Sequence, residues 1–185
     1  MSKAVAVLIG SLRAESLNRR LALALERHAP ADWTFTHLDL GGLPLYNEDL
    51  QPSERTGVAA LKEAIAGAAA LLIVSPEYNR SMPGVLKNAI DWASRPPAEN
   101  AFAGKPTLIA GASTGRIGTA VMQGHLRTSL AYLQALPMGQ PELYLTFQPR
   151  DLIDERGVVT VSSTDALLAD AMSRFAAWVE KLTSK

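Results

Sequence analysis

The chain has 185 residues, about the length of one domain, and its 18 Lys plus Arg residues balance its 18 Asp plus Glu residues. This neutral balance excludes the basic character typical of nucleic-acid-binding proteins. The absence of cysteine excludes disulfides, thiolate metal sites, iron–sulfur clusters and cysteine nucleophiles. The apolar run 4–9 is too short for a signal sequence or a membrane span, and no later apolar stretch reaches membrane length. We therefore expect a cytoplasmic protein without membrane or nucleic-acid partners.

Short apolar runs alternate with helical patterns along the chain. Continuous apolar runs predict strands at 4–9, 70–74 and 106–112, apolar–polar alternation predicts one at 33–38, and a weaker pattern predicts one at 142–147. Apolar residues at helical spacing predict a helix after each strand. The first carries Leu17, Leu21 and Leu25, the second runs from about 54 to 66, the third passes through Leu86, Ile90 and Ala93, the fourth runs from about 119 to 134, and the last carries Leu168, Met172, Phe175, Val179 and Leu182. The last helix is expected to take its N-cap from Ser163 or Thr164.

Five consecutive strand–helix units predict an α/β fold with a parallel sheet covered by helices on both faces. At this length we expect a single domain over residues 1–185, a doubly wound five-stranded sheet in the order 2-1-3-4-5. Ligands bind such sheets beyond the carboxyl ends of the strands, where the strand order reverses. The three unusual loops of this sequence follow the first, third and fourth strands, so we expect them to meet at one site.

The first loop, 10–18, runs from a glycine directly into a helix. Gly10 permits a tight turn, Ser11, Ser16 and Asn18 supply short polar groups, and Arg13 supplies a cation. Together with the free N–H groups of a helix start, these residues predict a phosphate site. The loop matches neither the P-loop nor the dinucleotide G-x-G-x-x-G pattern. The alternative interpretation is a capped helix start with a surface arginine.

The second loop, 75–84, is bracketed by Pro76 and Pro83 and carries Tyr78. A stiff loop that exposes backbone amides suits the edge of a planar heterocycle. The alternative is an ordinary strand-to-helix connection, but ten residues is long for one, and long ordered loops tend to be functional.

The third loop, 111–118, combines three glycines with two hydroxyl residues, so its backbone can approach a ligand closely. It also matches the G-x-S-x-G nucleophile elbow of hydrolases, centred on Ser113. That elbow needs an acidic residue and then a histidine downstream, but no acid lies between Ser113 and His125, the only later histidine. We therefore reject a serine hydrolase. The three histidines show no metal-ligand spacing, so no metal site is predicted.

These loops resemble the NADPH-dependent FMN reductase family, a flavodoxin-like group that includes chromate, quinone and azo-dye reductases. The resemblance rests on three motifs: Gly10-Ser11-Leu12-Arg13-x-x-Ser16-x-Asn18, Pro76-Glu77-Tyr78-Asn79 and Pro83-Gly84-x-x-Lys87-Asn88-Ala89-Ile90-Asp91-Trp92. It runs from the first strand to about Leu130 and covers most of the chain.

The resemblance implies bound FMN, with NADPH or NADH as co-substrate and a small-molecule electron acceptor. The implied cofactor-binding residues fall into three groups. They are Ser11, Arg13, Ser16 and Asn18 at the phosphate, with Leu12 and Leu17 beside them, then Pro76, Glu77, Tyr78 and Asn79 along the ring and ribityl chain, and Ser113 and Gly115 at the far side of the ring. Family members are usually homodimers or homotetramers with the flavin near the interface, and the segment 45–50 resembles a part that lies near that interface.

The chain has no redox-active side chain of its own, so a cofactor has to carry the electrons. We expect hydride transfer from NAD(P)H to N5 of FMN, followed by reduction of an acceptor on the same face, with ping-pong kinetics and no catalytic side chain. Quinones, azo compounds, chromate and free flavin are all candidate acceptors.

Two alternatives to a reductase stay open at this point. A flavodoxin-type electron carrier is usually strongly acidic, which the balanced charge argues against. A flavin-binding regulatory protein without turnover is distinguished only by a turnover assay.

One departure from the family concerns the third loop, where two glycines, another residue and an arginine are replaced by Gly118-Thr119-Ala120-Val121. Arg116 and Arg127 are the candidates to replace that arginine.

Overall fold

The computed structural model describes residues 2–148 and 152–184. Helices and strands alternate along them. In chain order they are β1 (Lys3–Ile9), α1 (Leu17–Arg27), β2 (Trp33–His37), α2 (Val58–Gly67), β3 (Ala70–Val74), α3 (Gly84–Ala93), β4 (Pro106–Ser113), α4 (Ala120–Tyr132), β5 (Leu136–Pro137), β6 (Leu143–Thr146) and α5 (Ser162–Thr183). None of the helices in these two ranges is long and apolar enough to cross a membrane.

The sheet is parallel and has the predicted order. β1 lies between β2 and β3, and β4 continues the sheet beyond β3. The fifth position differs from the single predicted strand, because β5 pairs with the start of β4 and β6 with its end. Pro141 lies between the two short strands and has no N–H to donate to the ladder, which is a reason for the interruption.

The two faces of the sheet carry separate apolar clusters. Val5 and Val7 of β1 point to the face covered by α1 and α5, whereas Ala6 and Leu8 point to the face covered by α2, α3 and α4. This alternation follows from the two-residue period of a strand. The prediction of helices on both faces is thereby confirmed.

Two predicted helix starts are wrong. α2 begins at Val58 rather than near Glu54, because Gly57 has a left-handed backbone (φ 76°) and residues 52–54 form a separate 3₁₀ turn. α5 begins at Ser162 with Val161 as its N-cap, two residues before the earlier of the two predicted caps.

Backbone hydrogen bonds join the carboxyl ends of β1, β3 and β4, so these three strands end next to one another. The N–H of Gly10 donates to the carbonyl of Val74 (3.0 Å), and the N–H of Ser75 donates to that of Ala110 (3.1 Å). The loops after β1, β3 and β4 therefore leave the sheet side by side.

Candidate functional site

The loops after β1, β3 and β4 line one cavity of about 170 Å³ at the carboxyl edge of the sheet. All three loops contribute to its wall. The lining residues are Ser11, Arg13, Glu15, Ser16, Leu17, Asn18, Pro76, Glu77, Tyr78, Ala112, Ser113 and Thr114. Nine of the twelve residues predicted for the site are among them, so the sequence located the meeting point of the loops.

Three predicted residues lie outside this lining. Leu12 is 57% exposed, and its side chain lies against Gly41 in the loop after β2. Asn79 lies in the turn at the tip of the second loop. Gly115 lies in the third loop, where its N–H donates to Ser113 Oγ (3.0 Å). A prediction by loop membership could not separate these residues from their neighbours, because the direction of each side chain depends on the local backbone.

Three lining residues were missed, namely Glu15, Ala112 and Thr114. Each is a sequence neighbour of a predicted residue, and the signal that could have found them is position in the same loop.

The first loop leaves a row of backbone donors without a protein acceptor. Within residues 2–148 and 152–184, no N–H from Ser11 to Asn18 donates a hydrogen bond to another group. Ser16 is the N-cap of α1, where its Oγ accepts from the N–H of Arg19 (3.2 Å). Free donors at the positive end of a helix form an anion site. Arg13 also lines the cavity, and no ion pair involves it in the described part of the chain.

Asn18 ties the first loop to β4. Its buried amide donates from Nδ2 to the carbonyl of Ala112 (3.0 Å) and accepts at Oδ1 from the N–H of the same residue (2.8 Å). The side chain thus positions two loops relative to each other. One N–H of the amide is left over, so a contact of Asn18 with a phosphate stays a prediction.

Gly10 is needed where the first and second loops approach each other. A Cβ built on Gly10 would lie 2.2 Å from Ser75 Oγ and 2.9 Å from its Cβ. Any larger residue would push the two loops apart, so the absence of a side chain at Gly10 allows the first loop to lie against the second.

The second loop closes in a tight two-residue turn. Tyr78 and Ser81 exchange two backbone hydrogen bonds of 2.9 Å, and the residues between them, Asn79 and Arg80, have φ of 49° and 65°. Two successive left-handed residues are typical of a type I′ turn. The turn holds Tyr78 half-exposed at the mouth of the cavity.

Glu77 connects the second loop to α4. Its carboxylate accepts from the N–H of Met122 in the first turn of α4 (3.0 Å) and from Arg80 Nη1 (3.3 Å). A carboxylate at a helix N-terminus is stabilised by the free N–H groups there. This side chain therefore fixes the third loop, which leads into α4, against the second.

Neither candidate for the missing third-loop arginine lines the cavity. Arg127 Nη1 donates to the carbonyl of Met138 beyond β5 (2.9 Å), which commits that guanidinium to the edge of the sheet. Arg116 remains in the third loop itself, where no ion pair involves it among the residues described.

The donor set fits a planar ligand that carries a phosphate. The free N–H row and Arg13 match a dianion, while Pro76, Tyr78 and Ala112 offer a flat or apolar wall. FMN has both parts. No group of three or more His, Asp or Glu side chains in the described ranges could hold a metal ion.

Comparisons with known proteins agree with this geometry. The sequence profile of the family described as NADPH-dependent FMN reductase matches residues 4–149. The chain is 49% identical to a 2-hydroxy-1,4-benzoquinone reductase of Burkholderia sp over 97% of both chains, and 39% identical to a quinone reductase of Escherichia coli over 96% of both.

A solved structure supports the same assignment. FerB, a flavoenzyme NAD(P)H:(acceptor) oxidoreductase from Paracoccus denitrificans, is 40% identical, with a TM-score of 0.91 over 97% of this chain and 98% of its own. Sequence, fold and the anion site of the first loop therefore agree, and the chain belongs to the NADPH-dependent FMN reductase family.

Proposed function

We propose that this protein is an FMN-dependent NAD(P)H:quinone oxidoreductase. The observation that carries the proposal is the row of eight N–H groups from Ser11 to Asn18, which donate to no acceptor within residues 2–148 and 152–184 and lie where three loops meet. The names of relatives that are 39–49% identical over nearly their whole length support quinones as acceptors.

We assign the predicted residues to three parts of FMN. The first loop, with Ser11, Leu12, Arg13, Ser16, Leu17 and Asn18, would hold the phosphate. Pro76, Glu77, Tyr78 and Asn79 would lie along the ring and the ribityl chain, and Ser113 and Gly115 would close the far side of the ring. The free donors of the first loop and the shape of the second support this arrangement.

When bound, FMN supplies two-electron chemistry between a reduced nicotinamide and an acceptor. The chain itself binds and orients. Arg13 and the N-terminus of α1 offset the phosphate charge, while Asn18 and Glu77 keep the three loops at fixed distances. The carboxylate of Glu77 is engaged by Met122 and Arg80, so we assign it no proton transfer. Solvent would then provide the proton that a reduced quinone oxygen takes up.

We further propose ping-pong kinetics, because one shared cavity would serve the nicotinamide nucleotide and the acceptor in turn. Initial rates measured over a grid of both substrates should give parallel double-reciprocal lines. Intersecting lines would show that both substrates are bound together. The same assay, run with azo compounds, chromate and free flavin, tests these further acceptors.

We also propose that residues 1–185 form one FMN-binding domain, that the protein is a homodimer or homotetramer, and that it acts in the cytoplasm. The shared sheet under both apolar clusters supports a single domain. Reduced nicotinamide nucleotides, the proposed electron source, are available in the cytoplasm.

The deciding experiment is a visible absorbance spectrum of the purified protein, followed by NADPH without oxygen and then by a benzoquinone. Flavin bands that bleach with NADPH and return with the quinone are the expected result. Bound FMN that NADPH does not reduce would instead favour a flavin-binding regulatory protein. A protein that neither carries nor takes up FMN would overturn the proposal.

A further inference from the structure

A second and larger cavity adjoins the proposed FMN site. Its volume is about 460 Å³, within the usual range for small-molecule sites. It is lined by Arg13, Glu15, Leu17, Arg20, Thr114 and Phe147. Arg13, Glu15, Leu17 and Thr114 line both cavities, so the two adjoin and share this part of their wall.

Two guanidinium groups face this second cavity. Arg13 has no ion-pair partner in the described part of the chain. Arg20 is held only loosely, since its Nη1 lies 3.4 Å from the carbonyl of Ile153 and its Nη2 lies 3.6 Å from Glu155 Oε1. Both distances exceed those of a strong charge-assisted hydrogen bond. The two arginines are therefore available to an anion.

The remaining lining completes a pattern suited to a nucleotide. The carboxylate of Glu15 can accept hydrogen bonds from a ribose diol, the role that acidic residues take in dinucleotide sites. Thr114 adds a hydroxyl group, and Leu17 supplies apolar surface on which a base can rest, backed by the buried ring of Phe147. Cations for a phosphate, an acid for a ribose and an apolar surface for a base thus lie together.

We propose that this second cavity is a subsite for an adenylate group, next to the phosphate of FMN. The inference rests on the proposed function, because the shared wall is the loop assigned to that phosphate. Two molecules could deliver the adenylate, namely the nicotinamide nucleotide or FAD bound in place of FMN. The chemistry of recognition is the same for both, and Arg20 is the charged residue that lines this subsite but not the proposed FMN site.

The test begins with protein loaded with FMN, whose binding is confirmed by absorbance, and titrates it with AMP in a calorimeter. AMP should bind the wild type, and R20M should weaken that binding by about tenfold, as expected for loss of a charge-assisted contact. R19M removes the same charge from the neighbouring residue of α1, which does not line the second cavity, and should bind AMP as the wild type does. E155Q removes the carboxylate that pairs with Arg20 and keeps the arginine itself, so this variant should also bind AMP.

Two further measurements identify the source of the adenylate. If it belongs to the co-substrate, R20M raises the KM for NADPH and NADH while kcat and the Kd of FMN are unchanged. If it belongs to FAD, R20M weakens FAD relative to FMN in flavin-fluorescence titrations of the apoprotein. R20K, which keeps the charge without the planar fork, replaces R20M if the latter does not fold.

Failure of AMP to bind the FMN-loaded protein would overturn the adenylate subsite, as would equal AMP affinities of R19M and R20M. A protein that takes up no FMN at all contradicts the proposed function instead. The two failures are therefore distinguishable.

Discussion

At the scale of single residues, several side chains of this site set the distances between the loops and have no chemical role of their own. Asn18 spans the gap between the first loop and β4, and Gly10 allows the first loop to lie against Ser75. A buried amide that both donates and accepts a hydrogen bond stabilises one arrangement of the backbone. Breaking either hydrogen bond would leave a buried polar group without a partner. Contacts between the loops, as well as the residues that line the cavity, thus set its width.

The substitution G10A tests this at the level of one methyl group. Its Cβ would overlap Ser75, so we expect a loss of about 1–3 kcal/mol in the free energy of unfolding, together with weaker FMN binding. Urea unfolding and a flavin titration measure the two effects. G124A is the matched control, since Gly124 is an exposed residue of α4 with nothing within 4 Å of an added Cβ. That variant should gain about 0.5–1 kcal/mol, and equal behaviour of the two variants would contradict the steric argument.

Among the structural elements, the turn from Tyr78 to Ser81 holds local strain. Arg80 has a φ of 65°, a conformation that costs a residue with a Cβ roughly 1–2 kcal/mol. We expect R80G to be more stable than R80A by about 1 kcal/mol, because both lose the contact with Glu77 and only glycine relieves the backbone. Thermal and urea unfolding of the two variants measure the difference. If R80A were as stable as R80G, the turn would not be strained.

The segment between β6 and α5 contains a carboxylate-centred loop. Asp154 Oδ1 accepts from the N–H groups of Val158 and Arg156, both at 2.8 Å. The hydrogen bond from the Val158 N–H is the largest cause that holds the pKa of Asp154 below its ordinary value of 3.8. A carboxylate with a lowered folded-state pKa stabilises the fold above the ordinary value, and that contribution is lost as the pH falls through the lowered one.

We therefore expect D154N, whose amide oxygen still accepts both hydrogen bonds, to remove this part of the acid sensitivity. The difference in unfolding free energy between wild type and D154N should be constant at neutral pH and should shift against the wild type only below the ordinary aspartate pKa. Urea midpoints across that range provide the measurement. A difference that does not change with pH would show that Asp154 titrates normally in the folded protein.

For the whole molecule, the loop after β2 presents an apolar side chain to solvent on a rigid support. Asn88 Nδ2 and Trp92 Nε1 both donate to the carbonyl of Pro44, at 2.9 and 2.7 Å, and Asn88 Oδ1 accepts from the N–H of Tyr46 (2.7 Å). Leu45 lies between these contacts and is 82% exposed. Segment 45–50 resembles a part of the family that lies near the subunit interface, so Leu45 is the side chain with which to test that contact.

We expect the wild-type protein to sediment at two or four times the mass of one chain, and L45E to shift toward a smaller species. L167E, on the outer side of α5, is the control and should keep the assembly of the wild type, because Leu167 is only 36% exposed and lies in a different part of the fold. Analytical ultracentrifugation distinguishes these species. A wild-type monomer would contradict the proposed oligomer.

The sequence by itself determined the features that are local in the chain. Alternating apolar runs and helical stripes were enough for the order of elements, because burial on both faces leaves a continuous apolar run in each strand. The rules for parallel sheets then placed three loops at one edge, where nine of the twelve predicted residues line one cavity; that they bind FMN stays a prediction.

Only the tertiary structure decided which side chains hold those loops together. Asn18 meets Ala112 across 94 residues, and Glu77 meets α4 across 45 residues. Neither contact leaves a periodic signal, because it depends on the register of distant strands. The division of the fifth strand into β5 and β6 likewise follows from pairing with the two ends of β4. Local patterns therefore place the elements, whereas distances between loops are set by packing of segments far apart in the chain.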